Sequence, residues 1–344
     1  MLNLEEFQEY VKLNLRDYLP ENEKGAVIRT SNVTKNNGLV VHGVTVMPEG
    51  SNIAPNIYLD DYFKQYQEGR DLDEIMDKVA LVTVGNLRAP EAYNNFGKDF
   101  QNFEYVRDKI IMVAVNTEKN VELLSQIPHT EIQDLSAVYK VYLGNIDDGY
   151  GTVTIRNEHM KMWDVTTEEL HELALANTRE ILPVTVQSMN EVMRDMFGQD
   201  GMPDEIAEAM FAEMPADQQM YVITNKQKVN GAASMFYEDV LSGLSERIGT
   251  DLYILPSSLH EVIAVSTNMG TPATLAEMVQ EVNAGQVAPE EQLSDHVYHF
   301  DAMTKELSLA DTTLDQVKVC VAENSENYSA AQSNTEGSRP RHRR

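Results

Sequence analysis

Asp251-Leu-Tyr-Ile-Leu-Pro-Ser-Ser-Leu-His-Glu-Val-Ile-Ala-Val-Ser266 decides how the last third of this chain is read. Two apolar, β-prone runs, 252–255 and 262–265, flank a short polar segment with Pro256, Ser257, Ser258, His260 and Glu261. Such a segment belongs at a hairpin tip or the mouth of a pocket rather than inside a strand. Working outward, Met220–Thr224 reads as a strand and Ala232–Arg247 as a helix closed by Gly249. Thr271 caps a helix with Pro272 at its first position, and Val297–Phe300 reads as a further strand. The resulting order, β-α-β-β-α-β, predicts a layered α+β sheet with antiparallel hairpins and helices on one face.

The first third is built from similar parts. Leu4, Phe7, Val11, Leu15 and Tyr18 repeat at helical spacing and Pro20 ends the run. Val27-Ile28 and Leu39–Val41 flank Asn36-Asn37-Gly38, which predicts a hairpin with a type I′ turn. Helices are expected at 60–68 and 71–82, and the acidic cluster at their starts reads as capping that complements the helix dipole. Ile110–Val115 is apolar throughout and reads as a buried strand, with a hairpin after it over 137–156. Thr166 and Glu169 form a capping box.

These elements predict two layered α+β domains. The first covers 1–105; the second covers 106–310 and carries a Met-rich, acidic helical insert at 189–218. That insert reads either as an adaptable partner surface or as core filler. Residues 323–344 are expected to be a disordered tail with a basic tip, Arg339–Arg344.

Composition narrows the function classes. The 344 residues hold 55 Asp and Glu against 27 Lys and Arg, a formal charge of −28. That surface repels phosphate backbones, so neither nucleic acid nor an anionic membrane is an expected partner. Solubility is the plain reading of this charge, and an acidic nucleic-acid mimic is the sharper one. Cys320 is the only cysteine, so no intramolecular disulfide forms. The opening residues lack signal-peptide character and no apolar run spans a bilayer, so a cytoplasmic protein is expected.

Two arrangements could carry chemistry. In the first, Ser257 or Ser258 is a nucleophile, His260 its base and Glu261 the orienting acid of a hydrolase. No Gly-x-Ser-x-Gly elbow accompanies them, and the same residues also read as an ordinary turn. In the second, His129, Asp134, His260 and the turn from Asn225 to Asn230 converge on one cavity. No His-Glu-x-x-His or phosphate-binding glycine loop occurs, so no metal and no cofactor is expected. Trp163, the only tryptophan, reads as a core anchor.

Several motifs carry a family resemblance. They are Asn116–Asn120, Pro128-His129, His159–Trp163, Thr166–His171, Asn230–Ala233, Ile254–Val262 and Val287–Asp295. On these the chain resembles an uncharacterised bacterial family, a domain of unknown function met in gut-type anaerobes. Segments 135–180 and 220–300 resemble more faintly the YtpQ-like proteins, also uncharacterised. The resemblance implies a domain layout and a cytoplasmic location, and no reaction. The expectation is a non-catalytic accessory protein that binds another protein, such as a factor of a mobile element. The hydrolase and the acidic mimic stand as alternatives.

Overall fold

The computed structural model describes residues 1–49, 56–87, 99–146, 149–199 and 214–310. The basic tail, Cys320 and residues 200–213 of the Met-rich segment lie outside the described residues. The protein is α+β, and every sheet is antiparallel. It divides into two compact units, Met1–Leu182 with Pro289–Glu291 and Pro183–Ala288 with Gln292–Arg344. Residue 105, the boundary expected from sequence, falls between the two sheets of the first unit.

The first sheet of unit 1 joins β1 (Val27–Thr34), β2 (Val40–Met47) and β3 (Asn56–Tyr58). Helices α1 (Leu4–Tyr18), α2 (Asp60–Gln67) and α3 (Leu72–Leu87) pack with it. The helical spacing seen in the sequence has a direct cause. Phe7, Val11 and Leu15 share one face of α1 and pack with Val44, Val46, Ile57 and Ile75 in a single core. The β1–β2 connection departs from a two-residue turn. Thr34 pairs with Val40, which leaves five residues in the loop, although Asn37 and Gly38 do take the expected positive φ.

The second sheet of unit 1 is centred on β6 (Leu135–Ile146). β4 (Ile110–Asn116) lies on one side of it, and β5 (His129–Ile132) and β7 (Gly149–Thr154) on the other. All of β4 is buried. Its outer edge is closed by α5 (Thr167–Ile181), which follows the short helix α4 (Asn157–Trp163). The Met112 amide donates to Thr178 Oγ1 at 2.9 Å, and Asn177 Nδ2 donates to the Ile110 carbonyl at 3.2 Å. These bonds satisfy main-chain groups that a bare edge would leave open. Trp163 is buried against Phe100 and Phe103, and its Nε1 donates to the Phe100 carbonyl at 2.9 Å.

Unit 2 holds one six-stranded sheet, ordered β13-β12-β10-β11-β9-β8. The strands are β8 (Val184–Ser188), β9 (Tyr221–Asn225), β10 (Leu252–Leu255), β11 (Val262–Ser266), β12 (Tyr298–Phe300) and β13 (Leu307–Leu309). Its helices are α6 (Met189–Gln199), α7 (Glu238–Ile248) and α8 (Pro272–Gly285). The chain order β9-α7-β10-β11-α8-β12 follows from these positions. The helices do not share one face. Leu275, Ala276 and Val279 of α8 pack with Leu255 and Val265. Arg247 of α7 lies over Tyr221, which faces Ala264 and Ile254 on the opposite side. The reason is in the strands. Leu252 and Ile254 are apolar on one face, Leu255 and Val265 on the other, so both faces need cover.

Two caps are formed as expected. Thr166 Oγ1 accepts from the Glu169 amide at 3.2 Å while Glu169 accepts from the Thr166 amide at 2.8 Å. Thr271 Oγ1 accepts from the Thr274 amide at 3.3 Å. Thr166→Ala is expected to lower stability by about 1 kcal/mol. A chemical-denaturation midpoint equal to that of the parent protein would contradict this.

Candidate functional site

The register of β9 against β11 builds the site around His260. Val262 pairs with Ile223, so two residues beyond the last β9–β11 pair His260 stands opposite Asn225, the last residue of β9. Asn225 is buried and shapes the turn that follows it. Its Oδ1 accepts from the Gln227 amide at 3.0 Å, and its Nδ2 donates to the Val229 carbonyl at 2.7 Å. Lys228 and Asn230 then take positive φ, as a tight return requires.

His260 closes the other side. The Asn230 amide donates to His260 Nδ1 at 3.2 Å, so this ring nitrogen serves as an acceptor. The His260 carbonyl accepts from the Gly231 amide at 2.9 Å and from Thr224 Oγ1 at 2.7 Å. The Leu259 carbonyl accepts from the Ala232 amide at 3.2 Å. The 3₁₀ turn Gly231–Phe236 thus starts directly against this bend, and the expected helix begins only at Glu238.

The serines are engaged elsewhere. Ser258 is 6% exposed and its Oγ accepts from the His260 amide at 3.0 Å. The Ser257 carbonyl accepts from the Leu293 amide at 3.0 Å, and the Pro256 carbonyl from the Ser294 amide at 2.9 Å. Among the described residues no hydrogen bond joins either serine hydroxyl to the His260 ring. The Ser–His contact that acyl transfer needs is therefore not formed here. Glu261 is partly buried and has interacting partners of its own.

Of the second arrangement, His260, Asn225 and Asn230 do meet. His129 and Asp134 belong to unit 1. His129 Nδ1 lies 3.1 Å from the Ile127 carbonyl, and the Asp134 carbonyl accepts from the Thr117 amide at 2.9 Å. Near them Tyr139 bridges Thr130 Oγ1 at 2.5 Å and His171 Nδ1 at 3.0 Å. Burial pushes the Tyr139 phenol up and the His171 imidazole down, so both stay neutral near pH 7. Among the described residues no group of three or more His, Cys, Asp or Glu is placed to hold a metal ion. No helix among them is long and apolar enough to cross a membrane.

Sequence reasoning passed over two features. An open pocket of about 430 Å³ lies beside the Asn225 turn, lined by Thr185, Val186, Gln187, Asp195, Asn225, Lys226 and Lys228. Pro183 followed by the alternation Val-Thr-Val-Gln-Ser was the signal for the strand that forms its wall. The other feature is Lys140, on the β6 face shared with Ile111 and Val138. Its signal was a lone charge inside the apolar run Ala137–Leu143.

The fold and the Asn225–His260 junction define an antiparallel α+β protein whose most distinctive turn is held by its own main chain. Residues 4–302 match the model of the DUF5688 family, a family of unknown function, and the chain belongs to that family. No curated protein and no solved structure matches the chain.

Proposed function

We propose that this protein works by binding another protein and performs no reaction at the 256–261 turn. The observation that carries the reading is a set of exposed apolar side chains in and beside the Met-rich segment. Met196 is 61% exposed, Phe197 39%, Met214 45% and Met220 39%. Methionine is unbranched and polarisable, so it adapts to a partner's shape. The engaged polar groups of the turn support the same reading, because Ser258 and His260 already serve loop closure. The charge of −28 favours a protein over a nucleic acid as partner, and a cytoplasmic setting is part of the proposal.

The test is affinity capture with the full chain, followed by the double variant Met196→Ala/Phe197→Ala. A stoichiometric partner lost from the double variant is the expected result, and recovery of none would end the reading. The hydrolase alternative has its own check. Ser258→Ala is expected to cost about 1 kcal/mol through the lost acceptor for the His260 amide. Ser257→Ala is expected to be neutral. Ester hydrolysis by the parent that disappears in Ser257→Ala would replace the binding reading with the enzymatic one.

A further inference from the structure

We infer that the outer edge of β8 takes up an extended, acidic segment of a partner protein as an added strand. This rests on the protein-binding reading and names where and what the protein binds. β8 ends the six-stranded sheet, with β9 as its only strand neighbour among the described residues. The Met189 amide donates to the Met220 carbonyl at 2.8 Å, and the Lys226 amide donates to the Pro183 carbonyl at 2.9 Å. The alternation of an antiparallel ladder then turns Thr185 and Gln187 toward β9 and leaves Val184, Val186 and Ser188 facing outward. The Ser188 amide is taken by Glu191 Oε2 at 2.5 Å. The amides and carbonyls of Val184 and Val186 have no such cover among the described residues.

The contrast with β4 gives this weight. There the outward amide of Met112 and carbonyl of Ile110 are met by Thr178 and Asn177. An edge with no cover is a template for another strand. The charge beside it selects the strand's chemistry. Lys226 and Lys228 line the pocket at the Val184 end, and neither makes an ion pair among the described residues. Asp195, the one acid lining the pocket among the described residues, accepts from Gln187 Nε2 at 2.9 Å. Two uncommitted cations on a chain of net charge −28 favour carboxylates at that end. The remaining negative charge is screened beyond about 8 Å at physiological salt, so the neighbouring lysines dominate the contact.

The probe is a fluorescein-labelled Thr-Val-Thr-Val-Glu-Glu peptide, titrated with the full chain at physiological salt. Its comparators carry backbone N-methyl groups or lysines in place of the glutamates. Saturable binding is expected, weakened about tenfold or more by either change. Val186→Pro removes only an outward amide, leaves the β9 ladder whole and is expected to abolish binding. Lys226→Glu/Lys228→Glu is expected to reverse the preference toward the lysine peptide, and it stands as the second test if Val186→Pro fails to fold. Equal binding of the acidic and basic peptides, or binding untouched by Val186→Pro in a folded variant, overturns the inference. Self-association that Val186→Pro abolishes also overturns it, in favour of a second copy of this chain. A captured partner that still binds Val186→Pro sinks the edge site alone; capture of no partner sinks the reading it rests on.

Discussion

Gly231→Ala is expected to destabilise the protein by roughly 3 kcal/mol, the upper part of the usual range for overpacking. A methyl group at this position would collide with Thr224 Oγ1. It would also sit 2.6 Å from the Asn225 amide nitrogen and 2.7 Å from the His260 carbonyl oxygen. Two of those three neighbours are main chain, which cannot rotate away. Relief requires the Asn225–Asn230 turn to separate from the bend before β11. That separation breaks the Gly231 amide bond to the His260 carbonyl and strains the Asn230 amide bond to His260 Nδ1. Gly243→Ala is the matched control. It lies inside α7 with open space around it, and alanine there is expected to add about 0.5–1 kcal/mol. Urea denaturation reads both as shifts in midpoint at unchanged slope. A Gly231→Ala midpoint within error of the parent would remove the close approach as a structural necessity.

That junction also marks where sequence reasoning stopped. The apolar runs 252–255 and 262–265 identified β10 and β11, because apolar continuity and length are local signals. The Thr166 and Thr271 caps were readable for the same reason, since a cap is written within four residues. The meeting of Asn225 with His260 was expected only as part of a wider cluster with His129 and Asp134, and which members meet was not readable. It depends on the register of two strands, and register is set by the packing of whole faces rather than by the residues that meet. Strands β5 and β8 were missed because short runs with polar alternation, such as His129–Ile132, resemble loops. The placement of helices on both faces of the second sheet was implicit in strands apolar on both sides. An α+β order alone does not distinguish one covered face from two.

Lys140→Met is expected to stabilise the protein at neutral pH by on the order of 1–2 kcal/mol, and the gain should vanish in alkali. Lys140 is partly buried on the face of β6 that carries Val113 and Val138, between Ile111 of β4 and Thr154 of β7, so its stem is covered while its solvent access is reduced rather than abolished. No hydrogen bond or ion pair reaches it among the described residues. Burial pushes its ammonium below the ordinary lysine value of 10.5, and the nearby positive charge of Lys35 adds to the effect. Lys35 is itself held over the Tyr58 ring, 4.1 Å from its centroid. A lysine whose folded value is lowered binds fewer protons folded than unfolded, so the parent's stability rises with pH. The rise occupies the window between the lowered folded value and 10.5. Methionine fills a similar volume and cannot titrate, so the variant lacks that rise. The difference between variant and parent should therefore grow as pH falls from about 10.5 and level off below the folded value. Paired denaturation curves from pH 7 to pH 11 measure it directly, because every other titrating group cancels in the comparison. A difference that stays constant over that range would mean that Lys140 keeps its proton in the folded protein, and that solvent or an unseen carboxylate reaches its ammonium.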